Sequence, residues 1–286
     1  MKSTLLAIGA VALWSTNAIV ARYALGGLDV EQVQLLQFVG ASLVFLLARI
    51  FPGQAGGGPD AAGLTLGLVG ITGTMIFQYL AFAAGPIAQV NIVAYAWPLI
   101  AALMILMRSK ADRPFRFAGL TAMGFLGAAL VILQNGNGLQ AATFGVGHFW
   151  AMGSAVCMAV YSAGIGSVRC NQNTVHLAGS VSGLAIAGLW CAIAGRPFPD
   201  PQTSSFWLAL YLGAGPIGMG YLLWAQAMRW SPSGRTASLG YLTPVGSTLL
   251  LALSGAVLGP LAMVGSVIVI LCCAATGIEI QHHARA

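Results

Sequence analysis

The sequence predicts an all-α integral membrane protein, with ten transmembrane helices forming two inverted five-helix repeats around a central cavity. Three observations lead there. Of 286 residues, 58% are hydrophobic and only 6% charged, against roughly 25% charged in soluble domains. Apolar runs recur along the whole chain at about the twenty residues that a helix needs to cross hydrocarbon. The second half also rewrites the first. Ile71, Ala81, Pro86, Tyr95, Pro98, Pro114 and Gly119 return as Ile217, Ala227, Pro232, Tyr241, Pro244, Pro260 and Gly265, all at one offset. A single register held over so long a stretch indicates duplication of half the chain.

The spans are expected near 4–22, 32–50, 62–83, 88–107, 116–134, 146–168, 175–194, 206–229, 235–255 and 259–279. Met1-Lys2 and Ala10-Val11-Ala12 imitate a signal peptide and its cleavage site, but the apolar run continues to Ala21. It therefore reads as an uncleaved first span. Turn residues separate the others: Gly26-Gly27, Pro52 to Asp60, Gly85-Pro86, Asn135 to Gly138, and Pro197 to Pro201. No separator is long enough for an aqueous domain, so the repeats are expected over residues 1–140 and 141–286.

Charge supplies the orientation. Ten of the 12 Lys and Arg residues (Lys2, Arg49, Arg108, Lys110, Arg113, Arg116, Arg169, Arg229, Arg235 and Arg285) fall on the side of the termini. Arg22 and Arg196 fall on the other. The positive-inside rule then puts both termini in the cytoplasm. Five spans per half is an odd number, so the halves cross in opposite directions. The match of Trp14-Ser15 and Arg22 with Tyr161-Ser162 and Arg169 agrees with that inversion. A net charge of +6 with no basic face or aromatic-interleaved basic strip does not indicate nucleic acid. The five cysteines (Cys157, Cys170, Cys191, Cys272 and Cys273) include no CxxC pair and read as apolar fillers. No metal site and no cofactor is expected.

All six acids, Asp29, Glu31, Asp60, Asp112, Asp200 and Glu279, lie at or beyond span ends. Carriers coupled to protons or sodium often hold a carboxylate within the membrane, and none is expected here. His148 and His176, near span starts, are expected in interfacial or packing roles. At mid-depth the chain carries neutral polar and aromatic groups instead: Asn17, Gln78, Asn91, Tyr95, Trp224, Gln226, Tyr241 and Thr243. An amide facing lipid costs about a kcal/mol or more, so these should face inward.

The repeat selects among them. Gln78 corresponds to Trp224, Tyr95 to Tyr241 and Trp14 to Tyr161. With Asn17, these residues are the expected lining of a ligand cavity on the pseudo-axis, suited to a ligand part apolar and part polar. Trp97, Trp150, Trp190, Trp207 and Trp230 are expected in the interfacial belt. Gly63 and Gly67, Gly179 and Gly183, and Gly255 and Gly259 have helix-contact spacing. Gly70 and Gly73 on the third span match Pro216, Gly218 and Gly220 on the eighth. Of these, Gly70, Gly73, Pro216 and Gly220 are the gating candidates, because glycine and proline permit bending.

Together, the five-plus-five inverted repeat, the segment AFAAGPIAQVNIVAYAWPLIAALM and its echo AQAMRWSPSGRTASLGYLTPVGSTLLLAL resemble the EamA-type exporters of the drug/metabolite transporter superfamily, the bacterial aromatic amino acid exporters among them. The similarity covers essentially the whole chain. It departs at Gly259-Pro260, where EamA-type proteins often carry a Glu. The resemblance implies a monomer in the lipid bilayer whose partner is a small-molecule substrate. That substrate would be an amino acid, aromatic ones included, exported from the cytoplasm by alternating access. The alternative it leaves open is a multidrug or other metabolite exporter of the same superfamily. Lipophilic cations would suit aromatic walls but usually call for a buried carboxylate. The spans contain no HExxH and no spaced carboxylate pair, so an enzyme is not expected. A channel remains a further class, separated from a carrier by saturation kinetics.

Overall fold

A computed structural model describes residues 2–50, 57–85, 87–108, 114–135, 145–231, 234–253 and 259–283. Pro86, Pro232, Lys110, Asp112, Arg113, Gly255, Arg285 and the boundary between residues 140 and 141 lie outside the described residues. The described chain is helical almost throughout. Eight helices are long and apolar enough to cross a membrane: Lys2–Ala24 (α1), Val30–Ile50 (α2), Ala61–Ala84 (α3), Gln89–Met107 (α4), Phe115–Leu133 (α5), Val146–Ser167 (α6), Gln172–Ile193 (α7) and Ser204–Trp230 (α8). Two more follow, Leu242–Leu253 (α9) and Pro260–His283 (α10).

Local chemistry sets the ends. The Asp60 carboxylate accepts from the Gly63 N–H at 2.7 Å to cap α3, and the Asn171 side chain accepts from the Asn173 N–H at 2.9 Å to cap α7. His148 caps α6 by accepting the Gly145 N–H on Nδ1. Gly195, at φ 63°, ends α7 in the left-handed conformation that glycine adopts without strain. The turn carries Arg196 back onto α2, where it meets Glu31 at 2.8 Å and Asp29 at 3.0 Å. The hydrogen bond to Glu31, with Asp29 beside it, holds the guanidinium above its ordinary range.

Helix pairing follows one rule. α2 runs along α7 and α5 along α10; α1 packs on α8 and α3 on α6; α4 meets α6 and α9 meets α1. Exchanging the first five helices for the second five maps α2–α7 and α5–α10 onto themselves and swaps the other four pairings two by two. The closest crossings are made by glycine. A Cβ built on Gly67 would lie 2.1 Å from the Val175 carbonyl oxygen on α7, and one on Gly213 would lie 2.1 Å from the Gln37 carbonyl oxygen on α2. Lipid tails are as apolar as leucine, so close backbone approach and dispersion hold such helices together. Outward faces stay apolar: Leu43, Leu47 and Ile50 on α2, Leu189 and Ile193 on α7, and Val264, Val267 and Leu271 on α10 are exposed.

The helices are not regular, and their irregularities match between halves. α3 is π-helical over Leu68–Gly73 and α8 over Gly213–Met219. α4 is interrupted by a turn at Tyr95 and Ala96. α9 is preceded by a short helix, Gly234–Ser238, and a 3-10 turn, Leu239–Tyr241, where the sequence suggested one continuous span. Each break falls at one member of the Tyr95/Tyr241 pair, three residues before Pro98 or Pro244. A proline has no N–H for the preceding turn and its ring crowds the carbonyl four residues back.

Candidate functional site

A cavity of about 70 Å³ opens where α1, α3, α4, α6, α8 and α9 converge. α1 contributes Trp14 and Asn17, and α3 contributes Thr74, Met75 and Gln78. Tyr95 lies in the break of α4 and Trp97 resumes the helix after it. Ser154 and Met158 come from α6, Pro216, Ile217 and Tyr221 from α8, and Thr243 from α9. No charged side chain is among these lining residues.

Trp14 is the anchor of the wall. Its Nε1–H donates to the Pro216 carbonyl at 2.9 Å, inside the π-helical segment of α8. A π turn loosens the regular backbone ladder, and the indole satisfies one of its acceptors. The ring meets Trp97 edge-on at 6.0 Å and Tyr221 at 5.9 Å. Glycine makes room for it, since a Cβ on Gly220 would lie 2.7 Å from Trp14 Nε1. In the other half, Gly70 does the same for Tyr161, whose ring lies 2.5 Å from where a Cβ would stand. Among the gating candidates, Gly70 and Gly73 thus lie in the π segment of α3, Pro216 lies in that of α8, and Gly220 follows it by one residue.

The structure brings Trp14, Asn17, Gln78 and Tyr95 into one wall, and it sets Tyr161, Trp224 and Tyr241 outside it. Trp224 stands behind the wall, 5.1 Å from Trp14 and 5.4 Å from Trp97, with its Nε1–H donating to Ser162 Oγ at 3.1 Å. Tyr161 lies deeper still, 5.0 Å from Tyr221, with its hydroxyl on His176 Nε2 at 2.6 Å. His176 is fully buried and stacked on Phe45, in a packing role. Tyr241 ends a 3-10 turn that aims its ring at Gly124 on α5. Asn91 and Gln226 are half-buried and outside the wall.

One assignment is corrected. Trp97 is not a belt residue: its span runs Gln89–Met107, so it sits near the middle, 7% exposed against Trp14 and Trp224. Trp207 and Trp230 are well exposed at the ends of α8. Trp150 stacks on Phe77 at 5.6 Å and is half-buried.

Several residues of the site carry no signal that periodicity could reveal. Thr74, Ser154 and Tyr221 look like ordinary span residues until the helices cross. Gln37 on α2 is buried and donates through Nε2 to the Tyr79 hydroxyl, which donates in turn to Asn17 Oδ1 at 3.5 Å. This chain of side chains links Asn17, one of the lining residues, to α3 and α2.

Fold and cavity together define a polytopic helical membrane protein with a cavity where six of its helices converge. Residues 1–133, and again residues 145–277, match the EamA-like transporter family. The chain belongs to that family of membrane transporters. An aromatic amino acid exporter, YddG, of Ancylobacter novellus is 29% identical over 266 residues, which is 88% of each chain. A solved crystal structure aligns over 98% of both chains with a TM-score of 0.84 at 25% identity.

Proposed function

We propose that this protein exports amino acids, aromatic ones included, from the cytoplasm across a bacterial inner membrane by alternating access, without a carboxylate-based ion-coupling site. One observation carries the proposal: an uncharged cavity walled by aromatic rings, amides and hydroxyls, fed by both halves and bordered by matched π-helical segments. A zwitterion brings no net charge to such a site. A cation would bring a net charge to a site with no counter-charge among its lining residues. That favours amino acids over lipophilic cations. The name of the Ancylobacter relative agrees with it.

The proposed architecture is ten spans in two inverted five-helix repeats, 1–140 and 141–286, with both termini cytoplasmic and the protein monomeric. The paired family matches, the exchange symmetry of helix contacts and the repeat-related breaks in α4 and α9 support it. Support for a moving gate comes from size. A cavity of about 70 Å³ holds a few waters, whereas ligand pockets run roughly 300–1,000 Å³. An amino acid is admitted only when the wall opens, and Gly70, Gly73, Pro216 and Gly220 sit where α3 and α8 bend most readily.

The test is flux in proteoliposomes with a panel of labelled amino acids and, in parallel, lipophilic cations. Saturable movement of phenylalanine, tyrosine or tryptophan is expected, reduced at least tenfold by Gln78→Ala, with no cation movement. Cation transport with no amino acid transport overturns the assignment in favour of a multidrug exporter.

A further inference from the structure

α1 is interrupted once, at Thr16, between Lys2–Ser15 and Asn17–Ala24. None of residues 13–17 is glycine or proline, the usual causes of a break. What meets the backbone there is a set of side-chain hydroxyls. Ser247 on α9 donates to the Ser15 carbonyl at 2.7 Å, an oxygen that in a regular helix accepts from the N–H four residues on. The Thr16 N–H reaches the Leu13 carbonyl, three residues back, at 3.1 Å, and the Thr16 hydroxyl donates to the same oxygen at 2.7 Å. With that proton committed, the Tyr211 hydroxyl on α8 is the donor in its 3.0 Å bond to Thr16 Oγ1. Gly246 lets α9 come this close, since a Cβ there would lie 2.2 Å from Ser15 Oγ.

The other half of the chain is a natural control. Ser15 and Thr16 correspond to Ser162 and Ala163, and Ser247 corresponds to Ala101. Ala101 is fully buried and has no hydroxyl to donate. There α6 runs as unbroken helix through Ser162 and Ala163 to Gly164. The site is asymmetric in the same sense. Trp14 and Asn17, on the two sides of the break, line the cavity, whereas their counterparts Tyr161 and Gly164 are not among its described lining residues.

We infer that Ser247 is a positioning residue of the substrate site. Through the Ser15 carbonyl it holds the break that sets Trp14 and Asn17 on the cavity wall, and Tyr211 supports the same break through Thr16. Neither Ser247 nor Tyr211 is among the described lining residues, so each acts through α1. The second half of the chain thereby shapes a wall that the first half supplies. The inference rests on the reading of the cavity as the site of amino acid transport.

The experiment measures L-phenylalanine uptake by the full chain in proteoliposomes, resolved into KM and maximal rate. It compares wild type with Ser247→Ala, Ser247→Thr, Tyr211→Phe and Ser3→Ala. Ser3→Ala is the control: it deletes the same kind of bond from α1 to the second half, 3.0 Å to the Ala227 carbonyl, at the end of α1 away from the break. Ser247→Ala is expected to raise KM roughly 3- to 10-fold, the range of one ordinary hydrogen bond. Tyr211→Phe should raise it in the same direction. Ser247→Thr, which keeps the hydroxyl, should restore the wild-type value, and Ser3→Ala should leave KM unchanged. Wild-type KM in Ser247→Ala overturns the inference and leaves the transport reading standing. So does a rise that Ser3→Ala matches or that threonine does not reverse, since either marks a general loss of packing. Wild type that moves no amino acid removes both.

Discussion

Gly213→Ala is expected to be among the most damaging single-atom changes in the chain. The added Cβ would stand 2.1 Å from the Gln37 carbonyl oxygen and 2.7 Å from its carbon. Those are backbone atoms of a neighbouring helix, so no rotamer change relieves the clash, and α8 must move away from α2. Overpacking a core costs about 1–3 kcal/mol and occasionally more; a clash between two backbones belongs at the upper end. By the scaling of proteins this size, that lowers the thermal midpoint by roughly 5–10 °C. The repeat-related Gly67→Ala is expected to do the same, because its Cβ would stand 2.1 Å from the Val175 carbonyl oxygen on α7. Gly188→Ala is the control. It lies on α7 as well, but the nearest atom to its Cβ would be Leu35 Cδ1 at 3.9 Å, an ordinary contact. Thermal unfolding in detergent should leave that variant within a degree or two of wild type.

Loss of Trp14 is expected to remove transport. Trp14→Ala deletes an indole packed against Trp97, Trp224 and Tyr221, and large aromatic deletions from cores cost about 3–5 kcal/mol. That variant is expected to fold poorly, so Trp14→Phe is the informative one. It keeps a ring but abandons the 2.9 Å bond to the Pro216 carbonyl. A buried acceptor left unpaired costs about 1–3 kcal/mol. Here that acceptor belongs to the π-helical segment of α8, so the penalty falls there. Trp14→Phe should be recovered from membranes at near wild-type yield while amino acid flux falls at least tenfold. Full flux from Trp14→Phe means that transport does not depend on the indole bond.

The parts of this account that were legible in sequence are those written in composition or in the repeat. Apolar runs marked α1 to α8, and Gly70, Gly73 and Pro216 marked the places where α3 and α8 become π-helical. Gln78, Tyr95, Trp14 and Asn17 stood out because an amide or a large polar ring at mid-depth needs an inward face. Trp97 carries two opposed signals in the sequence: tryptophan is common at interfaces, but the expected span 88–107 puts it near mid-depth, and its contacts with Trp14 and Trp224 decide for the second. Thr74 shows how little a small hydroxyl announces in an apolar run, since a threonine can satisfy itself on its own helix, whereas Thr243 was marked by its depth. Tyr241 matched Tyr95 in register and yet faces α5, because the 3-10 turn before α9 rotates it while α4 breaks differently. Duplication preserves the register, but local backbone geometry decides which way a side chain points.

The most direct test of the central claim is counterflow in sealed proteoliposomes. Vesicles are loaded with unlabelled L-phenylalanine, both sides share the same pH and sodium concentration, and tracer is added outside. An uncharged cavity that carries a zwitterion predicts transient accumulation of tracer in wild type, with no imposed ion gradient, and its loss in Gln78→Ala. Accumulation that occurs only when a proton or sodium gradient is imposed contradicts uncoupled transport through that cavity.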